Sequence, residues 1–114
     1  MQISIIIPVY NSETTISYAI ESVLMQDYAF LELIIVDGNS SDSTLAVIDK
    51  YSDDIAVLIS EDDYGYADAL NKGIKSSNGD FILMLAADDR LLPDAISKFM
   101  KTIMPQTDVW CGSI

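Results

Sequence analysis

Three hydrophobic runs in this chain end in acids. Phe81-Ile82-Leu83-Met84-Leu85-Ala86-Ala87 leads into Asp88-Asp89, Leu33-Ile34-Ile35-Val36 into Asp37, and Ile55-Ala56-Val57-Leu58-Ile59 into Ser60-Glu61-Asp62-Asp63. Carboxylate oxygens are hard donors, so acids placed where strands surface suit a divalent cation, Mg²⁺ or Mn²⁺. Asp88 and Asp89 are the candidate metal ligands. If the three strands are parallel, their acids collect at one edge of one sheet, where open α/β sheets bind ligands. Of the 18 acids, Asp37, Glu61, Asp62, Asp63, Asp68, Asp88 and Asp89 fall in or beside these strand-end segments. Like charges gathered in one cleft repel and call for a counter-ion.

Each candidate also has a plainer reading. Asp88-Asp89 alone is weak evidence, since adjacent acids after a strand are more often solvated loop residues. Asp37-Gly38 is either a turn or a carboxylate that accepts hydrogen bonds from a nucleoside base or ribose, as an acid after strand two does in dinucleotide folds. Pro8-Val9-Tyr10-Asn11 ends the first strand at the expected switch point, so Tyr10 either stacks on a base or sits at the edge of the core. Asp68 and Lys72, four apart on a helix, form a surface ion pair worth a few tenths of a kcal/mol or serve the site. Asn71 is a poor helix former, which favours a role beyond propensity. Neither Walker spacing nor a dinucleotide fingerprint surrounds Gly38, Gly65, Gly73 or Gly79, so any phosphate binding falls to a metal.

The elements that must position these residues alternate between apolar runs and helical periods, the pattern of a parallel α/β sheet. Strand one is expected over Ile3 to Val9 and helix one from about Glu13 to Met25, capped by Ser12, with Ile16, Ala19, Ile20, Val23 and Leu24 on one face. Strand two spans Leu33 to Val36. Helix two opens in Ser40-Ser41-Asp42-Ser43 and turns Leu45 and Ile48 inward before Tyr51. Strand three is Ile55 to Ile59, and helix three runs from about Tyr66 to Lys75 with Ala67, Leu70 and Ile74 buried. Strand four, Phe81 to Leu85, reads as buried on both faces. Pro93 opens a last helix with Ile96, Phe99, Met100 and Ile103 inward; Pro105 stops it, and Asp108 to Cys111 reads as a fifth strand.

Composition limits the function. With 114 residues, 50% of them hydrophobic, the chain has material for one core, and residues 1–114 are expected to form a single domain. A formal net charge of −12 opposes nucleic acid and anionic membrane as partners. The absence of histidine and the single Cys111 exclude the usual zinc sites, histidine base catalysis and an internal disulfide. No apolar run approaches the roughly 20 residues that cross a bilayer, and Met1 leads straight into strand-like sequence. A cytoplasmic, reducing setting is expected.

Taken in order, the segments Ile5 to Asn11, Ile34-Ile35-Val36-Asp37-Gly38-Asn39-Ser40-Ser41-Asp42-Ser43-Thr44, Ser60-Glu61-Asp62-Asp63-Tyr64-Gly65, Ala69 to Ile74 and Gly79 through Asp89 resemble the successive motifs of family 2 glycosyltransferases. The resemblance spans nearly the whole chain. It implies the GT-A fold, a nucleotide diphosphate sugar donor, usually a UDP-sugar, and inversion at the anomeric carbon. It puts Pro8, Tyr10 and Asp37 around uracil and ribose, Asp68 beside the nucleotide, and counts Asn11 and Asp88 among the nucleotide-binding residues. Asp88 would be the last acid of the metal-binding Asp-x-Asp motif.

The chain departs from the family pattern at Ala86, which replaces the motif's first acid, at Leu70, where many members carry arginine, and in length. Members run on for another hundred or so residues that hold the acceptor site and the general base, so the base is expected beyond residue 114. The expectation is the donor-binding part of an inverting transferase that serves a saccharide or lipid-linked acceptor in surface polysaccharide synthesis. The rival is a non-catalytic nucleotide-sugar-binding or assembly module. A phosphoacceptor receiver would need paired acids after strand one and a lysine after the last strand, where Asn11 and Gly112-Ser113 stand. Uncovered apolar surface makes a homo-oligomer the expected state.

Overall fold

Isoleucine and valine are stiff at χ1 and pack well on pleated surfaces, and the two runs richest in them form the centre of the molecule. In the computed structural model, which describes residues 1–103, β1 (Ile3–Val9) and β2 (Leu31–Asp37) pair in parallel, with Ile3 beside Leu31 and Val9 beside Asp37. Outside β2 lies β3 (Val57–Ser60), and outside β1 lies β4 (Phe81–Met84). All pairings are parallel and the order is β3-β2-β1-β4, so every strand delivers its C-terminal loop to one edge.

Parallel neighbours need crossover connections, here α1 (Ile16–Leu24), α2 (Thr44–Asp49) and α3 (Tyr66–Ser76), while α4 (Ala95–Ile103) follows β4. Helices α1, α2 and α4 cover one face, packing Ile20, Ile48, Ile96 and Phe99 in one core with Ile5, Ile7 and Ile35. On the other face α3 brings Ala69 against Ile6, Ile34 and Val36. The result is the expected three-layer α/β/α arrangement. The α3 layer sits close: a Cβ on Gly73 would lie 2.6 Å from Ile6 Cγ2.

Several expected boundaries move, each for a local reason. Helix one begins at Ile16 rather than Glu13, because Ser12 donates its N–H to Thr44 Oγ1 and its hydroxyl to the Tyr10 carbonyl. Ser12 therefore contributes only its own carbonyl, to Thr15 and Ile16, and gives no side-chain cap. Helix two begins at Thr44, since the serine run before it is consumed in loop contacts. Strand three starts at Val57 after a 3₁₀ turn at Ser52–Asp54, and strand four ends at Met84.

Two burial expectations are corrected. Strand four is an edge strand among the described residues, so Ile82 and Met84 are 41% and 47% exposed instead of buried on both faces. On α3 the buried positions are Ala69 and Gly73, whereas Ala67 and Ile74 face outward. A large-residue period predicts the wrong stripe there, because a helix pressed onto a sheet selects small residues at its contact line. Pro93 precedes the last helix by two residues, and the expected fifth strand lies outside the described residues.

Candidate functional site

The loops at the C-terminal sheet edge are stitched together by their own polar side chains. Asp37 ends β2 with 0% exposure, and a buried carboxylate is tolerable only when it is hydrogen-bonded. Its Oδ2 accepts the Ser40 N–H (3.0 Å) and the Ser60 hydroxyl (2.9 Å), while Oδ1 accepts the Ser40 hydroxyl. Asn11, held at φ 47°, donates its N–H to Ser40 Oγ (2.9 Å) and accepts the Ser41 N–H at Oδ1 (2.8 Å). Asn39 at φ 66° donates to Asp62 Oδ1 (3.0 Å), which ties the β2–α2 loop to the β3–α3 loop. Asparagine is among the few residues that tolerate such left-handed backbone.

Against this scaffold opens a cavity of about 280 Å³ lined by Pro8, Val9, Tyr10, Asp63, Gly65, Tyr66 and Ala69. Pro8 is buried at the end of β1, while Tyr10 and Tyr66 are 61% and 52% exposed. Gly65 enters α3 at φ 109°, a conformation that side chains disfavour. Asp63 Oδ1 accepts the Gly65 N–H (3.0 Å) and Asp68 Oδ2 accepts the Tyr64 N–H (3.0 Å), which fixes the loop above the helix start. The Tyr64 N–H, with the Lys72 charge adding to it, holds the Asp68 carboxyl below the ordinary carboxylate value. Lys72 pairs with Asp68 (3.4 Å) and Glu61 (3.3 Å) and donates to the Asp62 carbonyl (2.8 Å).

Beside β1, the Leu85 N–H donates to the Ile6 carbonyl (2.9 Å), after which the chain turns through Asp88 and Asp89. Both acids are exposed. Asp89 Oδ1 accepts the Arg90 N–H (3.0 Å); the Asp88 carboxylate has no polar partner among the described residues. They open on a second concavity, about 560 Å³, whose walls include Tyr18, Glu21 and Arg90, with the Arg90 guanidinium 5.1 Å from the Tyr18 ring centre. No group of three acids or other metal-binding side chains converges among the described residues. Two adjacent, solvated carboxylates cannot enclose an ion, but they fit Mg²⁺ or Mn²⁺, which keep waters and take phosphate oxygens of a substrate.

The structure thus brings Pro8 and Tyr10 to one cavity, sets Asp37 and Asn11 into the loops beneath it, and leaves Asp68 at the helix start outside its lining. Asp88 and Asp89 lie in the neighbouring groove. Asp63, Tyr66 and Ala69 were not singled out as binding residues from sequence. The available signal was Asp63-Tyr64-Gly65, an acid two residues ahead of a glycine at a helix start.

A four-stranded parallel sheet with an aromatic cavity and solvated acids at its C-terminal edge has the frame of a GT-A nucleotide-binding domain. The chain belongs to Glycosyl transferase family 2, whose sequence profile matches residues 4–114. It is similar to the UDP-Glc:alpha-D-GlcNAc-diphosphoundecaprenol beta-1,3-glucosyltransferase WfgD of Escherichia coli, 46% identical over 88 residues that cover 76% of this chain and 35% of that protein. The GalNAc(5)-diNAcBac-PP-undecaprenol beta-1,3-glucosyltransferase of Campylobacter jejuni is 34% identical over 88% of this chain and 34% of its own length. Among solved structures, S. aureus TarS 1-349 in complex with UDP-GlcNAc superposes with a TM-score of 0.79 at 27% identity, covering 90% of this chain and 32% of that one. The mannosyltransferase PcManGT from Pyrobaculum calidifontis, in complex with GDP-Man and Mn²⁺, gives 0.78 at 26%, covering 87% and 32%. The chain spans about a third of the length of the curated relatives it matches.

Proposed function

We propose that this chain is the donor-binding part of an inverting glycosyltransferase that takes a UDP-sugar to a saccharide or lipid-linked acceptor in surface polysaccharide synthesis. The observation that carries the reading is the cavity between Tyr10 and the start of α3, which opens on the same sheet edge as the unpartnered Asp88 carboxylate. The named activities of the E. coli and C. jejuni relatives, which include undecaprenol-linked sugars, support a lipid-linked acceptor. The UDP-GlcNAc complex of TarS supports the donor class.

In this reading Pro8 and Tyr10 receive the nucleoside, and Asn11 and Asp37 hold the loops that shape its seat. Asp68 fixes the β3–α3 loop against it. Asp88 and Asp89 hold a divalent ion, for which the Mn²⁺ complex of PcManGT is the structural support. When bound, the ion neutralises diphosphate charge that the acids would otherwise repel. The acceptor hydroxyl must lose its proton as it attacks the anomeric carbon, an assistance worth about 10²- to 10⁴-fold. We assign that base to sequence outside residues 1–114. No helix among the described residues is long and apolar enough to cross a membrane; a cytoplasmic setting, and self-association through the β4 edge, open among the described residues, belong to the proposal.

Calorimetric titration of UDP-, GDP- and dTDP-sugars with and without Mn²⁺ tests the reading. Metal-dependent binding of a UDP-sugar is expected, and failure to bind any nucleotide sugar would overturn it. A second reading, a nucleotide-sugar-binding module without turnover, is favoured by Ala86 and by the absence of a third acid beside Asp88 and Asp89 among the described residues. Transfer by the complete gene product separates the two.

A further inference from the structure

Tyr18, Ser22 and Gln26 recur every four residues, which puts them in one row along α1 and just past its end. Three consecutive residues of the loop after β4 meet that row in order. The Arg90 guanidinium lies 5.1 Å from the Tyr18 ring centre, the Leu91 N–H donates to Ser22 Oγ (3.1 Å), and the Leu92 carbonyl accepts from Gln26 Nε2 (2.7 Å). Gln26 is used in full: Nε2 also donates to the Ser22 carbonyl (3.0 Å), and Oε1 accepts the Ile96 N–H (3.1 Å). Only this orientation of the amide matches every partner, because both carbonyls need a donor and the N–H needs an acceptor. One side chain thereby satisfies a carbonyl at the end of α1, an N–H at the start of α4 and the loop that precedes α4.

These ties fall directly after Asp88 and Asp89. Upstream, the turn is held by the Leu85 N–H on the Ile6 carbonyl (2.9 Å) and closed by the Asp89 N–H on the Ala86 carbonyl (3.0 Å). Both carboxylates are exposed, and that of Asp88 has no polar partner among the described residues. Where the acids stand is therefore set by the backbone of the turn, and α1 holds the downstream half of that backbone. We infer that Gln26, assisted by Ser22, is a positioning residue for the Asp88–Asp89 metal ligands. This rests on the metal-assisted nucleotide-sugar reading above and deepens it. Mg²⁺ and its like demand near-ideal octahedral geometry, so a turn free to drift would present its oxygens poorly.

The experiment is calorimetric titration of the chain with UDP, in Mn²⁺ and in EDTA, for wild type, Gln26→Ala, Gln26→Glu and Ser22→Ala, with thermal unfolding of each protein. The readout is the gain in UDP affinity that Mn²⁺ confers. In Gln26→Ala that gain should fall about 10- to 100-fold, the usual cost of losing a group that orients a metal ligand, while affinity in EDTA stays at the wild-type value. Ser22→Ala should move it the same way by less. Gln26→Glu keeps an oxygen for the Ile96 N–H, at a helix start that favours negative charge, but turns another oxygen against the Leu92 carbonyl. It should therefore recover thermal stability relative to Gln26→Ala without recovering the metal gain, a split that a purely structural role would not produce. Should Gln26→Ala fail to unfold cooperatively, Gln26→Glu and Ser22→Ala carry the same comparison. A wild-type metal gain in folded Gln26→Ala or in Gln26→Glu overturns the inference while the metal reading stands. Equal wild-type affinity in Mn²⁺ and EDTA overturns both.

Discussion

Asp88 leaves β4 with its carboxylate in solvent and without a polar partner among the described residues, while Asp37, at the end of β2, accepts three protein hydrogen bonds. Two acids at equivalent strand ends therefore have opposite expected mutational signatures. Asp88→Ala removes a solvated oxygen donor and should leave folding untouched; UDP affinity in Mn²⁺ should fall to its value in EDTA, read by calorimetry. Equal wild-type affinity in the two buffers would show that no metal participates. Asp37→Ala removes a buried acceptor of three hydrogen bonds from the part-exposed Ser40 and the exposed Ser60, a loss of about 1 to 3 kcal/mol. Its urea midpoint should drop accordingly, and a midpoint equal to wild type would mean that water replaces the carboxylate at no cost.

At the scale of elements, the opposite edge of the sheet carries its own polar lock. Glu32 on β2 is 8% exposed; it accepts the Ser4 hydroxyl (2.7 Å) and the Asn78 N–H (2.8 Å) and side-chain amide (3.1 Å). Ser4 Oγ in turn accepts the Gly79 N–H (2.9 Å), so β1, β2 and the α3–β4 turn are joined where no cavity opens. Burial alone would push the Glu32 carboxyl up, but the Asn78 N–H, the Ser4 hydroxyl and the Asn78 amide together bring it below its ordinary value. A depressed carboxyl stabilises the fold above its unfolded value, and that stability is lost as pH falls through the folded value. Glu32→Gln should therefore cost about 1 to 3 kcal/mol near neutral pH, because its amide opposes the Asn78 donors. The gap between wild type and variant should close as pH falls through the lowered value of the folded carboxyl, where it protonates. A gap that stays constant on acidification, measured by urea unfolding, would remove the ionised Glu32 from the account.

For the whole molecule, the chain spans about a third of the length of its relatives, and the proposal above gives it donor binding. Residues 1–114 alone are expected to bind a UDP-sugar, hydrolyse it slowly at most, and transfer none of it. Positioning of an acceptor contributes more still than the base does. A longer polypeptide from the same gene should restore transfer, followed with radiolabelled donor and lipid-linked acceptor. Robust transfer by residues 1–114 would locate a base among the acids already present, with Asp62, Asp63 and Asp89 the first to replace.

The α/β class, the parallel alternation, the inward placing of Ile16, Ala19, Ile20 and Val23 on α1 and of Ile96, Phe99 and Met100 on α4, and the arrival of acids at one sheet edge were legible in the sequence, because a hydrophobic period is a local property that survives folding; Leu24, expected on the same face of α1, is 40% exposed at the helix end. The positions of Pro8, Tyr10 and Asp88 at the C-terminal sheet edge were legible for the same reason. Which acid faces the cavity was not. Asp37 and Asp63 look alike along the chain, and their roles diverge only when Ser40 and Ser60 close on one and the space above Gly38 admits the other. The contact stripe of α3 was lost likewise, since the depth of a helix on a sheet is set by the residue opposite, here Ile6 against Gly73. Sequence determined what reaches the edge; through-space packing and hydrogen-bond partners, fixed only in the folded chain, decided what stays available there.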